Sequence, residues 1–144
     1  RVFAEAKRLT DRHAPLLEQE ALAELLASGA YERHVRSIRR KNAERRGVLL
    51  QALSAQCGAA ISVEGADTGL HLVIWLDGVA AERESEIAEA ARSVGLGLHP
   101  VSPLYDAAGP KPGTAGFVLG YAALDVDALR RGVAMLASVL AKCR

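Results

Sequence analysis

The spacing of apolar residues predicts three helices in the first part of the chain. Residues 1–9 carry apolar residues at helical intervals, and a second helix is expected to begin at Pro15 and to end at Gly29. The third and longest helix is predicted over residues 31–56, because apolar residues recur there on one face. The residues of this apolar stripe are Tyr31, Val35, Ile38, Leu49 and Leu53.

The pattern becomes strand-like after the third helix. Two apolar and β-branched runs, AISVEG and GLHLVIWL, flank residues 65–68, which predicts a hairpin whose second strand ends at Gly78. A further helix is predicted over residues 80–95, because its apolar residues again recur at helical spacing. The residues expected to face inward from this helix are Ile87, Ala91 and Val94.

The last part of the chain alternates strands with loops and ends in a helix. LGLHPV and GFVLGYAAL read as strands, and the Pro- and Gly-rich residues 102–116 between them predict a loop. Asp125 is expected to cap the last helix at its amino end. The inward residues of that helix should be Val126, Leu129, Val133, Leu136 and Leu140.

This order of elements predicts an α+β fold. We expect a small, mostly antiparallel sheet of three to four strands, packed by helices on one face and preceded by a long helix. Residues 1–30 are assigned to an N-terminal helical arm and residues 31–144 to the main subdomain.

Charge is concentrated in the first half of the long helix. Residues 31–46, YERHVRSIRRKNAERR, hold seven Lys or Arg and two Glu in a chain whose net charge is +1. A stand-alone module that grips nucleic acid or an acidic partner is one interpretation of this stretch. Two features count against it. The apolar stripe continues through the basic residues into GVLLQAL, and only 4% of the residues are the aromatics on which bases could stack.

Motifs for catalysis or metal binding are not found. No GxSxG, P-loop, GxGxxG or paired-carboxylate motif occurs, Ser102 has no local activating partner, and the four histidines do not follow a metal-binding spacing. The only cysteines, Cys57 and Cys143, are far apart and read as reduced thiols. We therefore predict neither a catalytic set nor a metal site.

Two residues are still candidates for contacts with a ligand. His71 interrupts the apolar run GLHLVIWL, and it is expected on the sheet face opposite the helices. Tyr105 lies in the Gly- and Pro-rich loop, which could flank a pocket. Both residues have ordinary structural interpretations as well: a polar residue on an open sheet face, and an aromatic ring pinned against the sheet.

The ends of the chain and its hydropathy bear on its context. No apolar run approaches the ~20 residues of a membrane span, and no signal peptide is recognisable, so we expect a cytoplasmic protein without membrane contacts. The sequence begins with Arg1, and its one methionine is Met135. We therefore expect it to be part of a longer protein.

Four blocks of the sequence, in order, resemble the carboxy-terminal part of MocR-type transcription regulators. The blocks are KRLTDRHAPLLEQEALAELLASGAYERHVRSIRR, GADTGLHLVIWL, HPVSPLY and GFVLGYAAL, within residues 7–140. Such regulators are GntR-family proteins that join a winged-helix DNA-binding domain to an aminotransferase-like domain of fold type I. The resemblance implies that this chain is the small subdomain of the aminotransferase-like domain, and that residues 1–30 are a remnant of the segment that joins it to the large one.

The resemblance also implies partners and a cofactor for the parent protein. Pyridoxal 5′-phosphate would be held by a lysine of the large domain, ahead of Arg1, and DNA would be bound by the winged helix. This chain alone is then expected to hold no cofactor and to catalyse no transamination. The implied partners are the missing large and winged-helix domains of the same chain, a small-molecule effector and a second copy in a homodimer.

One position departs from the aminotransferase pattern. Related aminotransferases carry, in the last strand, an arginine that pairs with the substrate carboxylate, and the matching residue in GFVLGYAAL is Val118. Valine cannot form that bidentate pair, which favours an effector-sensing regulator over an enzyme. The effector-pocket candidates are therefore Val118, Tyr105 and His71. The alternative is the C-terminal domain of a working class I pyridoxal-phosphate-dependent aminotransferase.

Overall fold

The computed structural model describes residues 2–11, 15–67 and 69–143, without the side chain of Asp11. His13 and the last residue of the predicted hairpin turn, Thr68, lie outside the described residues. The chain forms two compact units, one up to Arg40 and one from Lys41. The division between the two units falls inside the long helix. The predicted boundary between residues 30 and 31 lies instead at the start of that helix. This predicted boundary stays a prediction.

The first unit is helical. Helix α1 spans Val2–Asp11, α2 spans Leu16–Ala27, and the unit also contains the beginning of α3, which spans Ala30–Cys57. Gly29 ends α2 as predicted, because its positive φ of 68° is a conformation that glycine adopts without steric cost. None of the described residues up to Arg40 is buried, and most of their large apolar side chains are exposed, including Phe3 at 91%.

The second unit contains the sheet. Four strands lie in the order β1-β2-β4-β3, and every neighbouring pair is antiparallel. Two further helices pack with the sheet, and the predicted α+β fold is confirmed. These elements are β1 (Ile61–Glu64), β2 (His71–Ala80), α4 (Glu84–Ser93), β3 (His99–Pro100), β4 (Thr114–Gly120) and α5 (Val126–Lys142).

The core lies on one face of this sheet. Buried residues alternate with more exposed ones along β2, and the buried set packs with the second half of α3, with α4 and with α5. The predicted inward residues Ile87 and Ala91 are buried, as are four of the five predicted for α5, and Asp125 accepts a hydrogen bond from the Ala128 amide at 2.7 Å. The prediction of helices on one face is thus confirmed. The largest fully buried residues are Tyr121, Phe117, Leu53, Leu72, Ile74, Leu76, Ile87 and Leu136.

Four local predictions were wrong. The strand predicted in GFVLGYAAL ends at Gly120, since β4 does not include residues 121–124. Strand β2 continues beyond Gly78, which takes a positive φ of 74° within an irregular register, so the strand bends at this glycine without ending. The strand predicted in LGLHPV is only His99–Pro100, because the chain turns into a short 3₁₀ helix at Ser102. Val94 is 46% exposed, because α4 ends at Ser93 and Val94 has left the helical conformation.

Candidate functional site

The sheet has an outward face that no helix of the second unit covers. Strand β2 pairs with β4 there so that His71 is opposite Gly120, Val73 is opposite Val118, and Trp75 is opposite Gly116. Strand β3 adds His99 beside Val118. We call the outward side chains of these strands the open face. They are His71, Val73, Trp75, His99, Gly116, Val118 and Gly120.

Two glycines of β4 allow aromatic rings to lie across the open face. A Cβ atom at Gly116 would come within 2.5 Å of Trp75 Cε3, and one at Gly120 would come within 3.2 Å of His71 Cδ2. Each ring of β2 therefore occupies the space of the side chain that its partner on β4 lacks. As a result the side chain of Val118 lies on β4 between the Trp75 ring and the His71 ring.

A cleft of about 230 Å³ opens where β3 stops pairing with β4. We call it the edge cleft. Its walls come from the end of β4, residues 96–99, the first turns of α5 and Leu49 of α3, and they are apolar except for His71 and His99. An apolar concave surface with a few polar groups is the usual form of a small-molecule site. The edge cleft is therefore the best candidate site in the second unit.

The three predicted pocket residues do not all meet. His71 and Val118 both line the edge cleft, and His71 lies on the open face as expected. Tyr105 is absent from the cleft lining and is 43% exposed, next to the 3₁₀ helix Ser102–Leu104. The structure does not test the function of any of the three, so their part in effector binding stays a prediction.

Sequence reasoning missed His99 at this site. His99 pairs with Val118 through the β3–β4 ladder and lines the same cleft as His71. It could not be linked to Val118 from the sequence, because the pairing brings together residues 19 positions apart across the Pro- and Gly-rich loop. The available signal was the alternation in LGLHPV, where Leu98 is buried and His99 is exposed.

Glu84 is a second residue that sequence reasoning missed, and its carboxylate binds backbone amides at the edge of the sheet. The Glu84 carboxylate is only 2% exposed, and it accepts hydrogen bonds from the backbone amides of Gly116 at 2.8 Å and Ser102 at 3.0 Å. Because β3 ends at Pro100, the Gly116 amide has no strand partner there, and the carboxylate takes that place. Glu84 thereby fixes the backbone beneath Trp75.

The basic stretch of α3 makes contacts within the chain. Arg45 donates to the carbonyl oxygen of Ala122 at 2.6 Å, and Arg46 donates to that of Asp67 at 2.6 Å. Both arginines therefore hold loops at the ends of β2 and β4. Arg36, in the same stretch, forms an exposed ion pair with Glu32 at 3.5 Å. Exposed pairs of this kind contribute little stability.

The ion pair of Arg83 and Glu86, whose pKa values are shifted, does not line the edge cleft. Arg83 donates two hydrogen bonds to Glu86, at 2.8 and 3.1 Å, on the exposed side of α4. The hydrogen bonds and the positive charge of Arg83 lower the pKa of the Glu86 carboxyl, and the hydrogen bonds and the negative charge of Glu86 raise the pKa of Arg83. Because the pair is exposed, it is a surface feature of the helix.

The edge cleft does not by itself fit pyridoxal phosphate or a metal ion. Its lining contains neither a lysine to bond the cofactor aldehyde nor a carboxylate to pair with the pyridine nitrogen. Within residues 2–11, 15–67 and 69–143, no group of three or more His, Cys, Asp or Glu side chains could hold a metal. In the same residues, no helix has the length and apolar character that crossing a membrane requires.

The fold is that of a part of pyridoxal-phosphate-dependent aminotransferases of fold type I. LysN, an α-aminoadipate aminotransferase of Thermus thermophilus, superposes with a TM-score of 0.75 at 27% identity, over 96% of this chain and 34% of LysN. The kynurenine aminotransferase of Pyrococcus horikoshii superposes with a TM-score of 0.79 at 22% identity, over 95% of this chain and 33% of that enzyme.

The sequence relatives are transcription regulators. The "uncharacterized HTH-type transcriptional regulator YhdI" of Bacillus subtilis is 30% identical over 118 residues, which are 82% of this chain and 24% of YhdI. The "probable rhizopine catabolism regulatory protein MocR" of Rhizobium meliloti is 29% identical over 90% of this chain and 25% of MocR. No family model matches the sequence. The chain is thus a homologue of MocR-type regulators, and it spans about a quarter of the length of the curated relatives it matches.

Proposed function

We propose that this chain is the small, carboxy-terminal subdomain of the effector-sensing, aminotransferase-like domain of a MocR-type transcription regulator of the GntR family. One observation carries the proposal. A single stretch of about four-fifths of the chain or more matches regulators in sequence and aminotransferases in fold. A regulator that has recruited an aminotransferase domain as its sensor accounts for both matches.

The parent protein supplies what this chain lacks under the proposal. Pyridoxal phosphate is held by a lysine of the large domain, and DNA is bound by a winged helix, both in the same polypeptide. The parent is a cytoplasmic homodimer. Residues 1–30 join the small subdomain to the rest, and this subdomain neither holds the cofactor nor catalyses transamination alone.

The open face is the surface that meets the effector pocket in the proposed regulator. Val118 lies at its centre, where a working aminotransferase would carry the arginine for the substrate carboxylate. His71 lies beside it, with its ring over Gly120. Tyr105 would reach the pocket from the loop. Because valine offers no charge, this face contributes shape and apolar contact and does not clamp a carboxylate bidentately.

Regulation would then follow from movement of the small subdomain. Effector binding at the cofactor favours one arrangement of the small subdomain against the large one. The shift in population changes how the dimer presents its winged helices to DNA. A ligand can shift this equilibrium only by its difference in affinity for the two arrangements.

The test uses the full-length protein from the same gene. With pyridoxal phosphate added, it should develop the visible absorption band of the bound cofactor and bind DNA from its own promoter region in a ligand-dependent way. Mutation of the lysine that the full sequence places in the large domain should abolish the band. The control variant Glu89→Ala, at an exposed residue of α4, should keep both properties. A full-length protein without the absorption band, or without a serine-rich lysine motif, would refute the proposal.

A working aminotransferase is the second candidate. The 27% identity to LysN over nearly the whole chain favours it. Steady turnover of an amino acid and a keto acid by the full-length protein would establish this alternative, and ligand-dependent DNA binding without turnover would exclude it.

A further inference from the structure

The edge cleft has the size of a site for a small apolar group. It measures about 230 Å³, and an apolar cavity of about 150 Å³ accommodates benzene. Its deep wall is formed by core residues, among them Leu98, Leu129 and Val133, so a ligand there would be shielded from water on several sides. All of its walls belong to the second unit.

Gly132 keeps the cleft open at a cost to the helix. It lies in the interior of α5 and lines the cleft, where a Cβ atom would meet only Leu96 Cδ1, at 3.9 Å. An alanine would therefore fit, and a glycine in a helix interior costs roughly 0.5–1 kcal/mol relative to alanine. Helix packing does not require this glycine. The volume that it leaves is part of the cleft.

The polar groups of the cleft are at its rim. His71 projects from β2 over Gly120, and His99 projects from β3 beside Val118, so both imidazoles flank the same opening. An imidazole donates one hydrogen bond when neutral and two when protonated, and either form suits a carboxylate oxygen. Of the acids at the start of α5, Asp125 accepts from the Ala128 amide and Asp127 pairs with Arg130 at 3.8 Å, and neither lines the cleft.

We propose that the edge cleft binds a small branched or aromatic monocarboxylate, with the apolar body against Gly132 and the carboxylate at His71 and His99. This site shares His71 and Val118 with the open face, but it takes its apolar walls from the core side of α5, and the proposal does not rest on the proposed function. The cleft volume limits the size of the ligand, the apolar walls favour an apolar body, and the hydrogen-bond donors at the rim favour a carboxylate.

The binding experiment uses the 144-residue chain itself. 3-Methylbutanoate is titrated against the isotope-labelled protein, with 3-methylbutanamide as the uncharged probe of the same shape. We expect saturable amide shifts at the cleft residues with a Kd below about 1 mM for the acid, and at least about tenfold weaker binding of the amide. Absence of saturable shifts, or equal affinity for acid and amide, would overturn the proposal.

Glycine variants test the location of the site. Gly132→Leu should abolish binding, and Gly132→Ala should weaken it while raising the melting temperature. Gly47→Ala is the matched control, because Gly47 is also within a helix, a Cβ there has no neighbour within 4 Å, and it does not line the cleft. It should raise the melting temperature and leave binding unchanged. Wild-type affinity in Gly132→Ala and Gly132→Leu would place any binding elsewhere and refute the proposal.

Rim variants test the polar contact. The double variant His71→Leu/His99→Leu should bring the affinities for the acid and the amide within about twofold of each other, since leucine donates no hydrogen bond to a carboxylate. Both positions are exposed, so the fold should persist. An unchanged preference for the acid would exclude the imidazoles from the site.

Discussion

Replacing Glu84 by alanine should destabilise the second unit far more than replacing any exposed glutamate of α4. The variant removes the acceptor of the buried Gly116 amide and of the partly buried Ser102 amide. A buried donor left without a partner costs about 1–3 kcal/mol, and a partly exposed one costs less because water replaces the acceptor. We therefore expect a loss of about 2–4 kcal/mol in the free energy of unfolding.

The expected loss is large enough to measure by urea denaturation and by thermal melting. For a domain of this size, it corresponds to a fall of about 10 °C in Tm. Glu84→Gln should lose about half as much, because the amide oxygen still accepts one hydrogen bond while the amide NH₂ group cannot accept the other. The control is Glu89→Ala, which breaks only the exposed pair with Arg92 and should cost under about 1 kcal/mol.

The comparison can fail in a defined way. If Glu84→Ala unfolds at the same urea concentration as Glu89→Ala, the two backbone hydrogen bonds do not stabilise the sheet edge. Loss of protection of the Gly116 amide against hydrogen exchange in Glu84→Ala, with Ile74 still protected, would locate the effect at this edge.

Three further predictions concern the core, a helix cap and a titration. Leu53→Ala, at a residue with 0% exposure, should cost about 2–5 kcal/mol in the free energy of unfolding, as measured by denaturant. Asp125→Ala should cost about 0.5–2 kcal/mol, because the Ala128 amide loses its acceptor, and Asp125→Asn should cost less. Arg83→Met should raise the pKa of Glu86 towards the ordinary value of 4.5, which NMR titration measures.

Each of these predictions has its own contrary result. Leu17→Ala is the control for the core, since Leu17 is 80% exposed, and an equal loss in both variants would contradict the burial argument. If Asp125→Ala and wild type were equally stable, the Asp125 carboxylate would not stabilise the start of α5. An unchanged pKa of Glu86 in Arg83→Met would show that the ion pair is absent in solution.

The sign of the pH effect follows from the lowered pKa of Glu86. Since the folded carboxyl is the stronger acid, the pair with Arg83 stabilises the fold above the ordinary carboxyl pKa of 4.5. The stabilisation is lost as the pH falls through the lowered folded value. Wild type and Arg83→Met should therefore converge in stability at acid pH. A constant difference between them across that range would contradict the assignment.

Local chemistry determined most of the element boundaries. Gly29 ends α2 because only glycine adopts its positive φ without cost, and Asp125 starts α5 because its carboxylate reaches an amide in the first turn. The helical spacing of Leu49 and Leu53 and the alternation through GLHLVIWL depend on neighbours a few residues away. Such short-range features are readable from a sequence, and here they predicted the α+β class.

Only the tertiary structure decided which residues from distant segments lie side by side. The strand order β1-β2-β4-β3 brings His99 beside Val118 and carries the Trp75 and His71 rings over two glycines of β4. Nothing in the charged run around Glu84 distinguishes that one carboxylate, which is buried because β3 stops short and leaves a strand amide to be paired. The edge cleft likewise needs residues from segments far apart in sequence. Pairings over such distances are fixed by packing of the whole unit, and a single sequence records only the propensities of each segment.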